Sequence, residues 1–162
     1  MKNSWQIERA LPSDADRLTE IALAAKRHWQ YPERWIEIWR PALTITPDYI
    51  TAQPVCAAHV DKVLVGFYGL LHKENDWWLE HLWVLPAHMG HGIGRALHEH
   101  ALHTASMRGA AAIKIEADPY AEAFYLRMGA KRIGETVSTI EGRERRLPLL
   151  VQAVEPGPGS SK

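Results

Sequence analysis

From Ser4 to Ala10 the chain alternates, with Trp5, Ile7 and Arg9 set against Gln6 and Glu8, which is the period of a β-strand. Pro12-Ser13-Asp14 supplies a turn and an N-cap. Leu18, Ile21, Ala22 and Ala25 then recur at three- and four-residue spacing, predicting an amphipathic helix from Asp14 to about His28. Tyr31-Pro32 breaks it. A second helical stretch is expected from about Glu33 to Trp39, stopping before Pro41, and a short helical turn at Pro47–Ile50. Val55–Val60 and Val63–His72 read as a hairpin turning at Asp61-Lys62, and Asn75-Asp76 turns again into a strand over Trp77–Leu85, closed by Pro86. Beyond a glycine-rich loop, a helix is predicted from Ile93 to about Arg108, ended by Gly109. A strand at Ala111–Ala117, a helix at Ala121–Met128 and two strands, Arg132–Thr139 and Arg146–Ala153, around Glu141-Gly142 complete the pattern. The order is β-α-α-β-β-β-α-β-α-β-β. Hairpin-linked strands followed by strands separated by helices imply a mixed sheet with helices on its faces.

Composition narrows the function classes. The 162 residues suit a single domain over 1–154, and the proline, glycine and serine tail at 155–162 is expected to be disordered. With 19 basic and 19 acidic residues the balance is zero, so no nucleic acid or other polyanion is expected as partner; Glu144-Arg145-Arg146 reads as a solvated turn. No apolar run is long enough to span a bilayer, and Met1–Gln6 lacks the apolar core of a signal peptide, so a cytoplasmic protein is the default expectation. The single Cys56 rules out an internal disulfide framework and reads as a small buried side chain.

The chemistry is concentrated after Pro86. In Met89-Gly90-His91-Gly92-Ile93-Gly94-Arg95 the glycines let successive backbone N–H groups turn inward, and the helix that follows adds its positive end. A diphosphate suits such a nest. A Walker loop would need Gly-Lys-Ser/Thr, which is missing, and a dinucleotide fingerprint would need a glycine where Arg95 stands.

Met89–Gly94 resembles the Arg/Gln-x-x-Gly-x-Gly/Ala signature of the GNAT superfamily of acetyl-CoA-dependent N-acyltransferases, with Met89 replacing the Arg/Gln. Leu82-Trp83-Val84-Leu85-Pro86 resembles that family's pantetheine-binding strand. Asp118-Pro119-Tyr120-Ala121 through Tyr125 to Gly129-Ala130 resembles its second signature, with Asp118 where Asn is usual and Ala130 where Phe is usual. The resemblance implies an α/β (α+β mixed) GNAT-like fold, with a central, mostly antiparallel mixed sheet and helices on both faces. It implies acetyl-CoA as co-substrate and no metal. Leu82, Trp83 and Val84 would meet the pantetheine arm, with the Leu82 N–H on the thioester carbonyl. Met89, Gly90, His91, Gly92, Ile93, Gly94 and Arg95 would hold the diphosphate, and Asp118 and Tyr125 would also border the cofactor. Tyr125 would be the acid on the departing thiolate.

Attack needs a neutral amine, so a base is required. Glu80 is the first candidate because it shares strand parity with Leu82 and Val84; His81, on the opposite parity, is the second. Six of the nine histidines lie between His81 and His103, but His98, His100 and His103 lack ligand spacing, and a solvated helix face is expected there. The family's acceptor pocket points to Lys26, His28, Trp29, Tyr31 and Trp35 and to Ser138–Arg143, an aromatic setting that can stack on a ring or cradle a cation. The acceptor would be a small-molecule or peptide amine. Family members often form homodimers, but no surface in this sequence marks one. Two other readings stand beside the enzyme: an acetyl-CoA-binding sensor without turnover, and a nucleotide-binding protein of another fold.

Overall fold

The hairpin expected at Asp61-Lys62 forms with φ of 49° and 68° at those two residues, the paired positive values of a type I′ turn that matches strand twist. It joins β2 (Val55–Val60) to β3 (Val63–Lys73), in register from Val60↔Val63 to Val55↔Gly69 with a shift at Ala58/His59. β1 (Trp5–Arg9) adds to β2 antiparallel, Trp5↔Val60 through Arg9↔Cys56. β4 (Asp76–Val84) follows a turn at Glu74-Asn75, one residue earlier than the pattern suggested. The computed structural model describes residues 4–156. The readings of Met1–Asn3 and of the tail from Gly157 onward lie outside the described residues, while the Glu155 carbonyl accepts a hydrogen bond from Ser106 Oγ.

The chain forms two compact units, one running up to Gly69 together with His81–His100, the other Leu70–Glu80 with residues from Ala101 onward. In the first, α1 (Ala15–Arg27), α2 (Glu33–Leu43) and α3 (Pro47–Ala52) bury the predicted stripe. Leu18, Ile21 and Ala22 lie in one apolar cluster with Ile36, Ile50, Val55 and Phe67. The helix expected to stop before Pro41 instead continues through it to Leu43. Pro41 falls in the last turn and is exposed, where a missing N–H costs least, and burial of Leu43 holds the final residues helical.

In the second unit β5 (Ala112–Glu116) pairs antiparallel with β7 (Arg143–Ala153), and β7 with β6 (Lys131–Ile140) around Glu141-Gly142. β4 and β5 pair in parallel through Trp77↔Ile113 and Trp78↔Lys114. Helix α5 (Glu122–Arg127) follows a 3-10 turn at Pro119–Ala121, which takes up the first residues of the helix expected from Ala121. It ends where Gly129 adopts φ 106° and Gln152 Nε2 donates to the Met128 carbonyl at 2.7 Å. The sheet order is β1-β2-β3-β4-β5-β7-β6, mostly antiparallel.

Helix α4 (Ile93–Met107) departs from the expected solvated histidine face. His98 is fully buried, and the His100 Nδ1 lies 2.8 Å from the Tyr68 hydroxyl. Only His103 of the three is exposed. The burial stripe Leu97, Ala101 and Ala105 rotates His98 inward, one position from Leu97 on the same face.

Backbone contact at the end of β4 is close. A Cβ on Gly66 would meet the Trp83 carbonyl oxygen at 2.9 Å and Leu97 Cδ1 at 3.2 Å. Gly66→Ala should therefore lose about 1–3 kcal/mol of stability through overpacking, seen as a Tm lower by several degrees in thermal denaturation. An unchanged Tm would show that the strand yields at no cost.

Candidate active site

Consider first the segment from His81 through the start of α4. Leu85 N–H donates to the Val65 carbonyl at 2.8 Å, tying the end of β4 to β3. The β4–β5 ladder covers Trp77 and Trp78, so the N–H and C=O groups of Leu82 and Val84 lie outside it. Leu82 and Trp83 are half-buried and Val84 is buried. A single 3-10 turn, Pro86–His88, then leads into the loop. Gly90 and Gly92 have φ of 80° and 90°, a conformation that L side chains rarely adopt, which is what turns the N–H groups to one side. Gly90, His91 and Gly92 are exposed, and nothing lies within 4 Å of where a Gly90 Cβ would be. Ile93 is buried and anchors the first turn of α4, whose leading N–H groups have no intrahelical acceptor. Met89 and Gly94 are half-buried, and the Arg95 side chain is exposed with Glu99 at 3.8 Å. Open space at Gly90, positive φ at two glycines and a helix start make this loop a fit for a diphosphate.

His81 is buried among Tyr49, Phe67 and Trp83, with ring centroids 5.7, 5.9 and 6.5 Å away. Trp83 Nε1 donates to its Nδ1 at 3.0 Å. An indole N–H can only donate, so Nδ1 carries the lone pair and the neutral ring holds its proton on Nε2. Burial pushes the His81 pKa down to about 4. A base at Nδ1 would have to break the Trp83 bond to accept a proton.

The aromatic segment packs on itself. Tyr31 stacks on Trp35 at 6.1 Å, Trp39 meets both edge-on, and the buried Lys26 Nζ sits 4.4 Å from the Trp39 ring centre and 5.1 Å from that of Tyr31. The cation these rings hold is the chain's own. His28 meets Trp29 at 5.0 Å; His28 is exposed, Trp29 half-buried. Trp39 went unnoticed in the sequence because it follows Trp35 at helical spacing and reads as part of a helix face.

The second unit brings different groups together. A cavity of ≈ 330 Å³ is lined by Leu71, Lys73, Glu74, Asp76, Trp78, Leu79, Glu80 and Glu116. Glu80 is exposed to it, and Asp76 is paired with Lys114 at 3.0 Å. Glu80 and Glu116 each lie two residues beyond the last pair of the β4–β5 ladder, Trp78↔Lys114, while Glu116 pairs with Leu149 on the β7 side. Glu116 was not legible beforehand, since only the parallel register sets it beside Glu80; Trp78 shares the strand parity of Glu80 but was not singled out.

Tyr125 is buried in α5, and burial, then the Asp118 carboxylate, pushes its phenol well above the ordinary tyrosine range. Asp118 Oδ1 accepts from the Tyr120 N–H at 2.9 Å, and Oδ2 is 3.3 Å from Arg145 Nη2. Arg145, expected in a solvated turn, is instead inward, because β7 starts at Arg143 and strand alternation separates it from the exposed Arg146. Ser138 is exposed on β6, opposite Arg145 in register. Among the described residues no group of three or more His, Cys, Asp or Glu side chains is placed to hold a metal ion, and no helix is long and apolar enough to cross a membrane.

The His81 state makes a pH prediction. Its folded pKa lies below the unfolded value near 6.5, so the unfolded chain takes up the proton first. The resulting stability is fully present above about pH 6.5 and is lost as pH falls towards 4. Between pH 7 and 4.5, His81→Leu should lose about 2 kcal/mol less than the parent chain, measured by urea denaturation at both pH values. Equal losses would mean that the ring is protonated without penalty.

Comparisons with known proteins bear on the family and the fold. The profile of the acetyltransferase (GNAT) family matches residues 15–130. No curated protein sequence matches. Among solved structures, a GCN5-related N-acetyltransferase from Rhodopseudomonas palustris is 22% identical with a TM-score of 0.80, covering 95% of this chain and 98% of that one. The PaiA N-acetyltransferase from Thermoplasma acidophilum, in complex with coenzyme A, is 20% identical with a TM-score of 0.72, covering 93% and 99%. The IAA acetyltransferase from Bacillus cereus is 19% identical with a TM-score of 0.67, covering 93% and 100%. At these identities the likeness is one of fold.

Proposed function

The chain belongs to the GNAT acetyltransferase family, and from that premise we propose that it transfers an acetyl group from acetyl-CoA to a primary amine of a molecule that carries a further positive charge, by direct attack in a ternary complex. The observation that carries the acceptor side is the cavity on which Glu80 opens, two residues before Leu82 on β4.

Acetyl-CoA supplies the activated acetyl group and a thiolate leaving group near pKa 8.5. The N–H groups of Gly90 to Arg95 bind the diphosphate, and Arg95 adds charge where the family signature has Arg or Gln and this chain has Met89. Backbone groups of Leu82 and Val84, outside the β5 ladder, pair with the extended arm, and the Leu82 N–H stabilises charge developing on the carbonyl oxygen. Holding amine and acetyl group together is the larger part of the rate. Glu80 takes the proton from the ammonium. His81, with Nδ1 engaged by Trp83, is fit to donate from Nε2 rather than to accept. Tyr125, kept protonated by burial, gives a proton to the departing sulfur.

Four carboxylates against one lysine line the cavity, with the Trp78 indole beside them. That lining favours a second positive charge on the acceptor and disfavours a carboxylate. Diamines, polyamines and aminoglycosides should therefore outpace free amino acids by at least tenfold in kcat/KM in a thiol-release assay. The reverse order would sink the cationic-acceptor reading. Acetyl-CoA at millimolar concentration should raise the Tm, and a rise without thiol release on any amine would instead support a sensor.

Glu80→Gln should lower kcat by about 10²- to 10⁴-fold at neutral pH, and Tyr125→Phe at least tenfold. Turnover unaffected by either change would remove that residue from its role.

A further inference from the structure

Lys114 shows which way β5 faces at the cavity. Its Nζ pairs with Asp76 at 3.0 Å and lies 5.7 Å from the ring centre of Trp78, and both of those residues line the cavity. Glu116 follows two residues later, so strand alternation turns it to the same side, where it is exposed and in the lining. Glu80 stands two residues beyond Trp78 on β4. With Trp78 opposite Lys114, Glu80 and Glu116 are equivalent positions just past the ladder.

Charge is unequal along these strands. Around the turn, Lys73 closes β3, Glu74 follows, and Asp76 opens β4 with Lys114 on its carboxylate, so two acidic and two basic groups balance. Further along, the lining supplies Glu80 and Glu116, both acidic. Like charges at equivalent positions of neighbouring strands repel, and a bound cation relieves them. Lys114 against Asp76 and Trp78 is the chain's own instance of an ammonium held by a carboxylate and an indole of this lining.

We propose that Glu116 is the specificity-determining residue of the acceptor site, binding the acceptor's second positive charge while the reacting amine lies at Glu80. The inference rests on the reading of this cavity as the acceptor site. The two carboxylates divide the work: Glu80 takes a proton from one amine, and Glu116 holds the other as an ammonium. A monoamine leaves Glu116 without a partner from the substrate, and a substrate carboxylate is repelled by it. Selection between amines then depends on charge at position 116, whereas proton removal depends on Glu80.

The test measures kcat and KM for α,ω-diamines from putrescine upward in length, each against the n-alkylamine of equal length, with Tm in parallel. The readout is the ratio of the two kcat/KM values, which in the parent chain should favour the diamine. Glu116→Gln should lower that ratio by about fivefold or more, chiefly through a higher KM for the diamine. Glu116→Lys should lower it further, because the effect follows charge. Both changes fall at an exposed strand position, so Tm should stay near the parent value. A ratio left unchanged by Glu116→Gln overturns the assignment. So does an equal fall in both variants, which marks packing rather than charge, and so does a loss of kcat alike for both amines, which places Glu116 in proton transfer. The parent chain separates the two levels. If it prefers no diamine, or turns none over, the cationic-acceptor reading itself fails, whereas a parent preference that survives Glu116→Gln removes only the role of Glu116.

Discussion

Two residue pairs, Trp77↔Ile113 and Trp78↔Lys114, make up the parallel ladder between β4 and β5, and the proposed chemistry depends on its shortness. A longer ladder would satisfy the backbone groups of Leu82 and Val84 with a neighbouring strand. Left outside it, they have no β5 partner in the ladder, and in the proposed reading an extended ligand completes that edge as a strand would. The same shortness leaves Glu80 and Glu116 beyond the last β4–β5 pair, where both line a cavity.

Burial then sorts the ionisable groups by task. His81 and Tyr125 are enclosed, and both are held in their neutral, proton-bearing forms: one with its pKa lowered to about 4, the other with its pKa raised. Glu80 is exposed to the cavity. In the proposed reaction an exposed carboxylate takes the proton from the ammonium and an enclosed phenol supplies one to the sulfur. Lys26 shows a different solution to the same constraint, a buried ammonium set against the faces of Trp39 and Tyr31.

Much of the architecture followed from periodicity and turn chemistry. The stripe of Leu18, Ile21, Ala22 and Ala25 is buried as its spacing implied, and Asp61-Lys62 and Glu141-Gly142 turn where two strand patterns meet. The errors sit where context overrode local preference. Pro41 is tolerated because it falls in a final turn next to water, and His98 is buried because the stripe around Leu97 carries it inward.

The sequence by itself determined the order of elements, the glycine loop with its helix start, and the segments around Leu82 and Tyr125, because these depend on contiguous residues and on backbone conformations that few side chains allow. Partnerships were decided only by tertiary structure. Trp83 silencing His81 Nδ1, Arg145 meeting Asp118 across 27 positions, and Glu116 joining Glu80 each depend on which way a strand pleats and which strand lies beside it. One residue of register reverses a side chain, so the short ladder that exposes the edge of β4 was legible as a strand but not as an opening.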